Sequence, residues 1–191
     1  MNESKYFLAA QLGAAIHYDD EQQLQSIAQQ LRSVHSELAL VDGLRLCHLF
    51  CGIPKLIRSL NVLGPFKNLP NDCIATDGEE QFRMVYAEDA DIVLSHLQNT
   101  DPTVLAWVLN HAYGTVFANS SYSLLDREMA SIFILTLGNC HQQALSHVRA
   151  CARHGADAEQ LLADVQAFSF FSTEQQCLLS ASIRSCFDLD E

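Results

Sequence analysis

The chain has 191 residues, 49% hydrophobic and 18% charged: enough apolar mass for a packed core and too little charge for a disordered chain. The net charge of -12, from 23 acidic against 11 basic side chains with no Lys/Arg cluster, repels phosphate backbones and anionic lipid, so neither nucleic acid nor membrane is expected as a partner. No apolar run reaches transmembrane length, and Met1-Asn2-Glu3-Ser4-Lys5 leads into no cleavage-site pattern, so no signal peptide is read and a cytoplasmic location is expected.

Helical spacing of apolar residues runs the length of the chain, and no alternating strand pattern appears, which predicts an all-α fold. A first helix is expected over Glu3 to Tyr18. Asp19-Asp20 caps a second, striped by Leu24, Ile27, Ala28, Leu31 and Val34. A third runs from about Val41 to Cys51 and ends at Gly52. Pro54 then opens a fourth, lined by Leu56, Ile57, Leu60 and Leu63 and stopped by Gly64-Pro65. The segment Phe66 to Gly78, rich in Pro, Asn and Asp, is the one plausible internal boundary.

Helices resume over Glu79 to about Leu97. Asp101-Pro102 pairs an N-cap with proline at the first helical position, and a double stripe from Val104 to Phe117 follows. Ser123 with Asp126 forms a capping box for a helix that Gly138 breaks. Asn139, with Gln142 in the reciprocal position, is expected to cap the next helix, which Gly155 closes. Two further helices are expected, over Asp157 to about Phe168 and Thr173 to about Phe187. Seven cysteines, an odd number, fit free thiols in a reducing compartment. Cys47, Cys73, Cys151, Cys177 and Cys186 are expected to be buried as small hydrophobes.

Three polar residues stand out on the helix after Asn139. Cys140 is placed in its first turn, where exposed N–H groups favour an anion and lower a thiol pKa. His147 lies seven positions on, on a stripe shared with Ala144, Val148 and Cys151, so its ring should point into packed protein. Gln143 lies at the edge of that stripe. Glu128 falls in the first turn of the preceding helix, and a short turn at Gly138-Asn139 folds it back towards Cys140 and His147. An imidazole exchanges protons near neutral pH and a carboxylate can orient it. Taken singly, each has a plainer reading: a core histidine bonded to a carbonyl, an acid complementing a helix dipole, a packing or capping cysteine. His111 and Tyr113 flank the site helices in sequence and are further candidates for binding. Arg127 is read as a surface or subunit-contact charge, and Tyr86 and Tyr122 as packing. The histidines are spaced too irregularly for a metal site, so no metal is expected.

The segment Asn110 to Val165 reads His111-Ala112-Tyr113-Gly114, then Arg127-Glu128, Gly138, Gln143-Ala144-Leu145-Ser146-His147 and Gly155-Ala156-Asp157. It resembles the carboxymuconolactone decarboxylase family, within the wider group that includes alkylhydroperoxidase D. A fainter likeness covers Leu46 to Asn61, as a decayed first copy of the helical unit in which Gly43 stands where Glu128 would match and no histidine matches His147.

The resemblance implies an all-helical bundle around a two-helix hairpin. It divides the chain into an N-terminal half over 1–70, a decarboxylase-like domain over 78–171 and a terminal helix over 172–191. It also implies self-association as a dimer, trimer or hexamer. In the peroxidase branch the matching helix carries Cys-x-x-Cys-x-x-x-His. Here Cys140 and His147 match, Glu128 matches the acid, and Gln143 replaces the second cysteine, which would have resolved an oxidised thiol.

A glutamine four residues before the histidine looks instead like the decarboxylase branch, whose substrate is a small carboxylated unsaturated lactone and which needs no cofactor. There His147 would deliver a proton, Glu128 would orient it, and Gln143 with Tyr113 would donate hydrogen bonds. Three classes follow: a decarboxylase or related lactone enzyme, a thiol-dependent hydroperoxidase using Cys140, and a non-catalytic member acting in assembly or binding.

Overall fold

A helix that is apolar on every side has no face to give to water, and Lys5–His17 (α1) is such a helix: Tyr6 to Ala10 and Leu12 to Ile16 are all buried. The computed structural model describes residues 4–66, 76–118 and 120–189, and these are helical without a strand among them. They fall into two units, 4–66 with 122–189, and 76–118 with 120–121.

In the first unit α1 is the axis of the core. Glu21–Val34 (α2), Glu37–Cys51 (α3), Ile53–Leu63 (α4) and Leu124–Leu137 (α8) pack around it. The aliphatic side of this core joins Leu8, Leu12 and Ile16 to Leu24, Ile27, Leu31, Leu40, Leu44 and Ile134. Its aromatic side joins Tyr6 and Phe7 to Phe133, Phe168 and Phe171, with ring centroids 4.7–6.4 Å apart. Such edge-to-face and offset pairs add to the area they bury.

The thiols of Cys47 and Cys51 point at α1 and donate to the carbonyls of Ala9 and Gly13, at 3.7 and 3.9 Å. Lys55 donates to the last carbonyls of α1, at Ile16 and His17, where a cation complements the helix dipole.

The close crossings are made at glycine. A Cβ on Gly13 would stand 2.6 Å from Cγ1 of the buried Ile134, so the Ile134 side chain of α8 packs directly on the backbone of α1 there. A Cβ on Gly43 would stand 2.9 Å from the Tyr122 hydroxyl and 3.3 Å from Leu12. A larger side chain at position 43 therefore has no room without a shift of Tyr122 or Leu12.

Helix α3 begins at Glu37 behind a Ser36 N-cap, four residues before the expected Val41, because the serine cap adds a turn ahead of the apolar run. The remaining helices of this unit are His141–Arg153 (α9), Ala158–Ala167 (α10) and Thr173–Cys186 (α11).

The second unit corrects two expectations. The helix expected over 79–97 is divided into Gly78–Tyr86 (α5) and Ala90–Thr100 (α6). Between them Ala87 takes the left-handed region at φ 45°, which apolar spacing does not reveal. The stripe from Val104 to Phe117 begins as α-helix at Pro102–Trp107 (α7), but Val108–Phe117 widens to π turns. There Thr76 donates twice to the carbonyl of Gly114, through its backbone N–H and its hydroxyl, both at 3.2 Å. A Cβ on Gly78 would lie 1.8 Å from the carbonyl oxygen of Leu109, so only glycine admits this approach. Phe82, Tyr86, Tyr113 and Phe117 form the aromatic centre of the unit.

Gly13→Ala is expected to destabilise the fold by a net of about 1–2 kcal/mol, because overpacking against Ile134 outweighs the gain in helix propensity. A urea-unfolding midpoint that rises in this variant would contradict the α1–α8 crossing.

Candidate functional site

The site begins with how α8 ends. Asn139 adopts a left-handed φ of 56°. Its N–H bonds the carbonyl of Thr136 at 3.0 Å, and the N–H of Cys140 bonds that of Leu135 at 2.9 Å. This is a Schellman closure with asparagine in the place usually held by glycine. Asn139 therefore terminates α8 instead of capping α9. The N-cap of α9 is Cys140, which makes no side-chain cap bond. A Schellman closure at Gly155, with φ 74°, likewise ends α9 as expected. The tight turn lays α9 back along α8, and this sets which side chains meet.

Glu128 and His147 meet. Oε2 of Glu128 and Nδ1 of His147 are 2.6 Å apart, with Glu128 wholly buried and His147 5% exposed. A carboxylate only accepts, so the ring presents Nδ1–H to it. Glu128 is the fifth residue of α8, one turn deeper than the first-turn position expected from sequence, and so it lies inside the core.

Burial of an acid without a partner is prohibitive; the pair makes it tolerable. On α9, His147 is flanked in the buried stripe by Ala144 and Val148, with Cys151 one turn beyond. Burial pushes the Cys151 thiol far above its ordinary range, and the charge of Glu128 adds to that shift. Oε1 of Glu128 and Oγ of Ser131 are both buried and without a hydrogen-bond partner.

Arg127, expected as a surface or subunit-contact charge, is 8% exposed, which corrects the surface reading. Burial lowers the pKa of its guanidinium, while Glu128 and Asp126 hold it up. It lies beside the pair in sequence and is the cation nearest to it along the chain.

Cys140 and Gln143 do not join the pair. Both are exposed, and the thiol of Cys140 donates to the carbonyl of Gly138 at 3.5 Å. Cys140 stands two turns from His147, roughly 10 Å along the axis. A groove of about 480 Å³ opens nearby, lined by Asn139 and His141 on one side and by Ser172, Glu174, Gln175 and Leu178 on the other. Gln175 bridges it to the turn, donating to the carbonyl of Thr136 at 2.9 Å and to Oδ1 of Asn139 at 3.2 Å.

Tyr113 and His111 belong to the second unit. Tyr113 is buried among Phe82, Tyr86 and Phe117, and His111 is exposed. Tyr122 is buried packing, and its hydroxyl donates to the carbonyl of Ala39 at 3.0 Å.

Among the thiols, Cys47 and Cys151 are buried as expected and Cys186 is half-buried; Cys177 is exposed, a correction, and Cys73 lies outside the described residues. Cys177 belongs to α11, which has only two buried residues, Leu179 and Ile183.

Sequence reasoning missed two further buried acids among the described residues, Asp42 on α3 and Asp164 on α10. Asp164 on α10 accepts from the Tyr6 hydroxyl and from Nε2 of Gln160, the latter at 3.0 Å. No signal in the sequence pairs residues so far apart.

No protein-family model, no curated protein and no solved structure matches the chain. The described residues contain no cluster of His, Cys, Asp or Glu able to hold a metal ion, and no helix long and apolar enough to cross a membrane.

Two measurements test this arrangement. Breaking the buried pair with Glu128→Ala is expected to cost about 3–5 kcal/mol in chemical unfolding; a loss under about 0.5 kcal/mol, as at an ordinary surface site, would contradict the burial. Alkylation of the folded chain at pH 8 is expected to label Cys140 and Cys177 first. Cys51, pushed up by burial to about 11, and the buried Cys47 and Cys151 should follow only after unfolding. Early labelling of Cys151 would contradict the packing of α8 on α9.

Proposed function

We propose that the chain is a carboxymuconolactone decarboxylase-like protein. In this reading the Glu128–His147 pair performs the proton transfer of a cofactor-independent decarboxylation, or a closely related step, on a small carboxylated lactone. The observation that carries the reading is the 2.6 Å contact between a fully buried carboxylate and an imidazole on two helices folded back on each other. It is the arrangement that the resemblance of Asn110 to Val165 implies.

The chemistry follows from the pair. The carbon–carboxyl bond breaks, carbon dioxide leaves, and the electron pair stays on the unsaturated ring as a dienolate. A proton must then be added to carbon. With Nδ1 committed to Glu128, the proton passes from Nε2 of His147, and the Glu128 charge stabilises the imidazolium that supplies it. Arg127, drawn inward next to Glu128, offers the positive charge that a carboxylated substrate needs. Self-association belongs to the same proposal.

The exposure of Cys140 and Gln143 weighs against a thiol cycle at this pair and removes Gln143 as a donor to it. One further reading has an observation in its favour. Burial of both partners, at 0% and 5% exposure, suits a non-catalytic member in which the pair only locks α8 to α9.

Turnover separates the two. The unmutated chain is expected to release carbon dioxide from a carboxymuconolactone-type substrate, and His147→Ala to lose about 10²–10⁴-fold in kcat with the helical circular dichroism retained. Failure of the unmutated chain across a panel of carboxylated lactones would leave the locking role.

A further inference from the structure

Glu128 and Ser131 lie three residues apart on α8, so their side chains leave the helix on the same side, about 5–6 Å apart at Cβ. Both residues are wholly buried. Oε2 of Glu128 is taken by His147, whereas Oε1 has no hydrogen-bond partner; the hydroxyl of Ser131 has none either. A mid-helix serine commonly returns its hydroxyl to the carbonyl four residues back, as Thr136 does to Ile132 at 2.7 Å; Ser131 does not. A buried acceptor and a buried donor thus sit unsatisfied one turn apart. Each carries a desolvation cost that a shared bond would remove.

We propose that Ser131 is the positioning residue for Glu128. Rotation of the two side chains brings the Ser131 hydroxyl onto Oε1, so that Oε2 is held towards Nδ1 of His147. Serine is small enough to occupy this face of α8 and still free to turn its hydroxyl. The bond fixes the orientation of the carboxylate plane and shares its charge, which sets how strongly the imidazole is held. The functional meaning of this positioning rests on Glu128 and His147 being the working pair.

The test uses the full chain and two readouts, neither of which depends on turnover. The first is the proton NMR resonance of the His147 Nδ1–H, which a short bond to a carboxylate moves far downfield. Ser131→Ala is expected to shift it upfield by at least several tenths of a part per million, and Ser131→Thr, which keeps the hydroxyl, to restore it. The second is the thermal midpoint. Ser131→Ala is expected to lower it in the otherwise unmutated chain, but not in the Glu128→Gln background.

An unmoved resonance, or the same change of midpoint in both backgrounds, overturns the proposal and leaves Ser131 as a buried hydroxyl that does not act on Glu128. Should Ser131→Ala not fold, Ser131→Cys, similar in size and a far weaker donor, supplies the same comparison. Loss of lactone turnover with these readouts as expected would defeat the functional reading alone. Turnover with an unmoved resonance would defeat this one alone.

Discussion

A carboxylate withdrawn from water must be paid for by a partner, and the partner of Glu128 is the imidazole of His147. That single contact depends on most of the first unit. Glu128 is buried because α8 is buried, α8 is buried because it crosses the apolar α1 at Gly13, and α1 can be apolar on every side only because α2, α3, α4 and α8 surround it. The imidazole arrives from the opposite direction, through a turn in which Asn139 adopts a left-handed conformation and sends α9 back along α8. Removal of either support would leave an ionisable group in the core without its counterpart.

The same turn separates two kinds of chemistry. Its tightness places Cys140 at the N-cap of α9, on the surface, while His147 lies two turns down and inside. The exposed thiol at the start of α9 and the buried imidazole two turns on therefore do not share one environment. Arg127 makes the interior more polar than the sequence suggests. With Glu128 and Ser131 on α8 and His147 on α9, it is one of the buried polar residues on this helix pair. Polar groups kept at that depth are either structural locks or working residues, and both roles demand the same close pairing.

Much of this was legible in the sequence where one residue type has one physical use. The caps at Ser123 with Asp126 and at Asp101-Pro102, the stop at Gly52 and the closure at Gly155 lie where their chemistry puts them. The inward direction of His147 followed from its apolar neighbours at helical spacing.

What was not legible depended on backbone choices or on distant partners. Asn139 suits a cap and a left-handed closure equally well, and only the packing of α9 on α8 decides between them. Ala87 gives no sign of the positive φ that divides α5 from α6. Arg127 is charged and looked like a surface residue, because its inward turn depends on Glu128 and on the burial of α8. Nothing in the sequence places the backbones of Gly78 and Gly114 together; the widened turns from Val108 to Phe117 do so. The likeness of Asn110 to Val165 to a known family singled out Glu128 and His147, which meet, together with Cys140 and Gln143, which lie exposed.

The most direct measurement is a double-mutant cycle on the pair itself, with Glu128→Gln, His147→Asn and the double substitution compared by urea unfolding. A coupling of about 1–3 kcal/mol is expected for two side chains in buried contact. Losses that simply add, within about 0.5 kcal/mol, would mean that the two residues do not interact, and the reading of α8 and α9 as carriers of one site would fall.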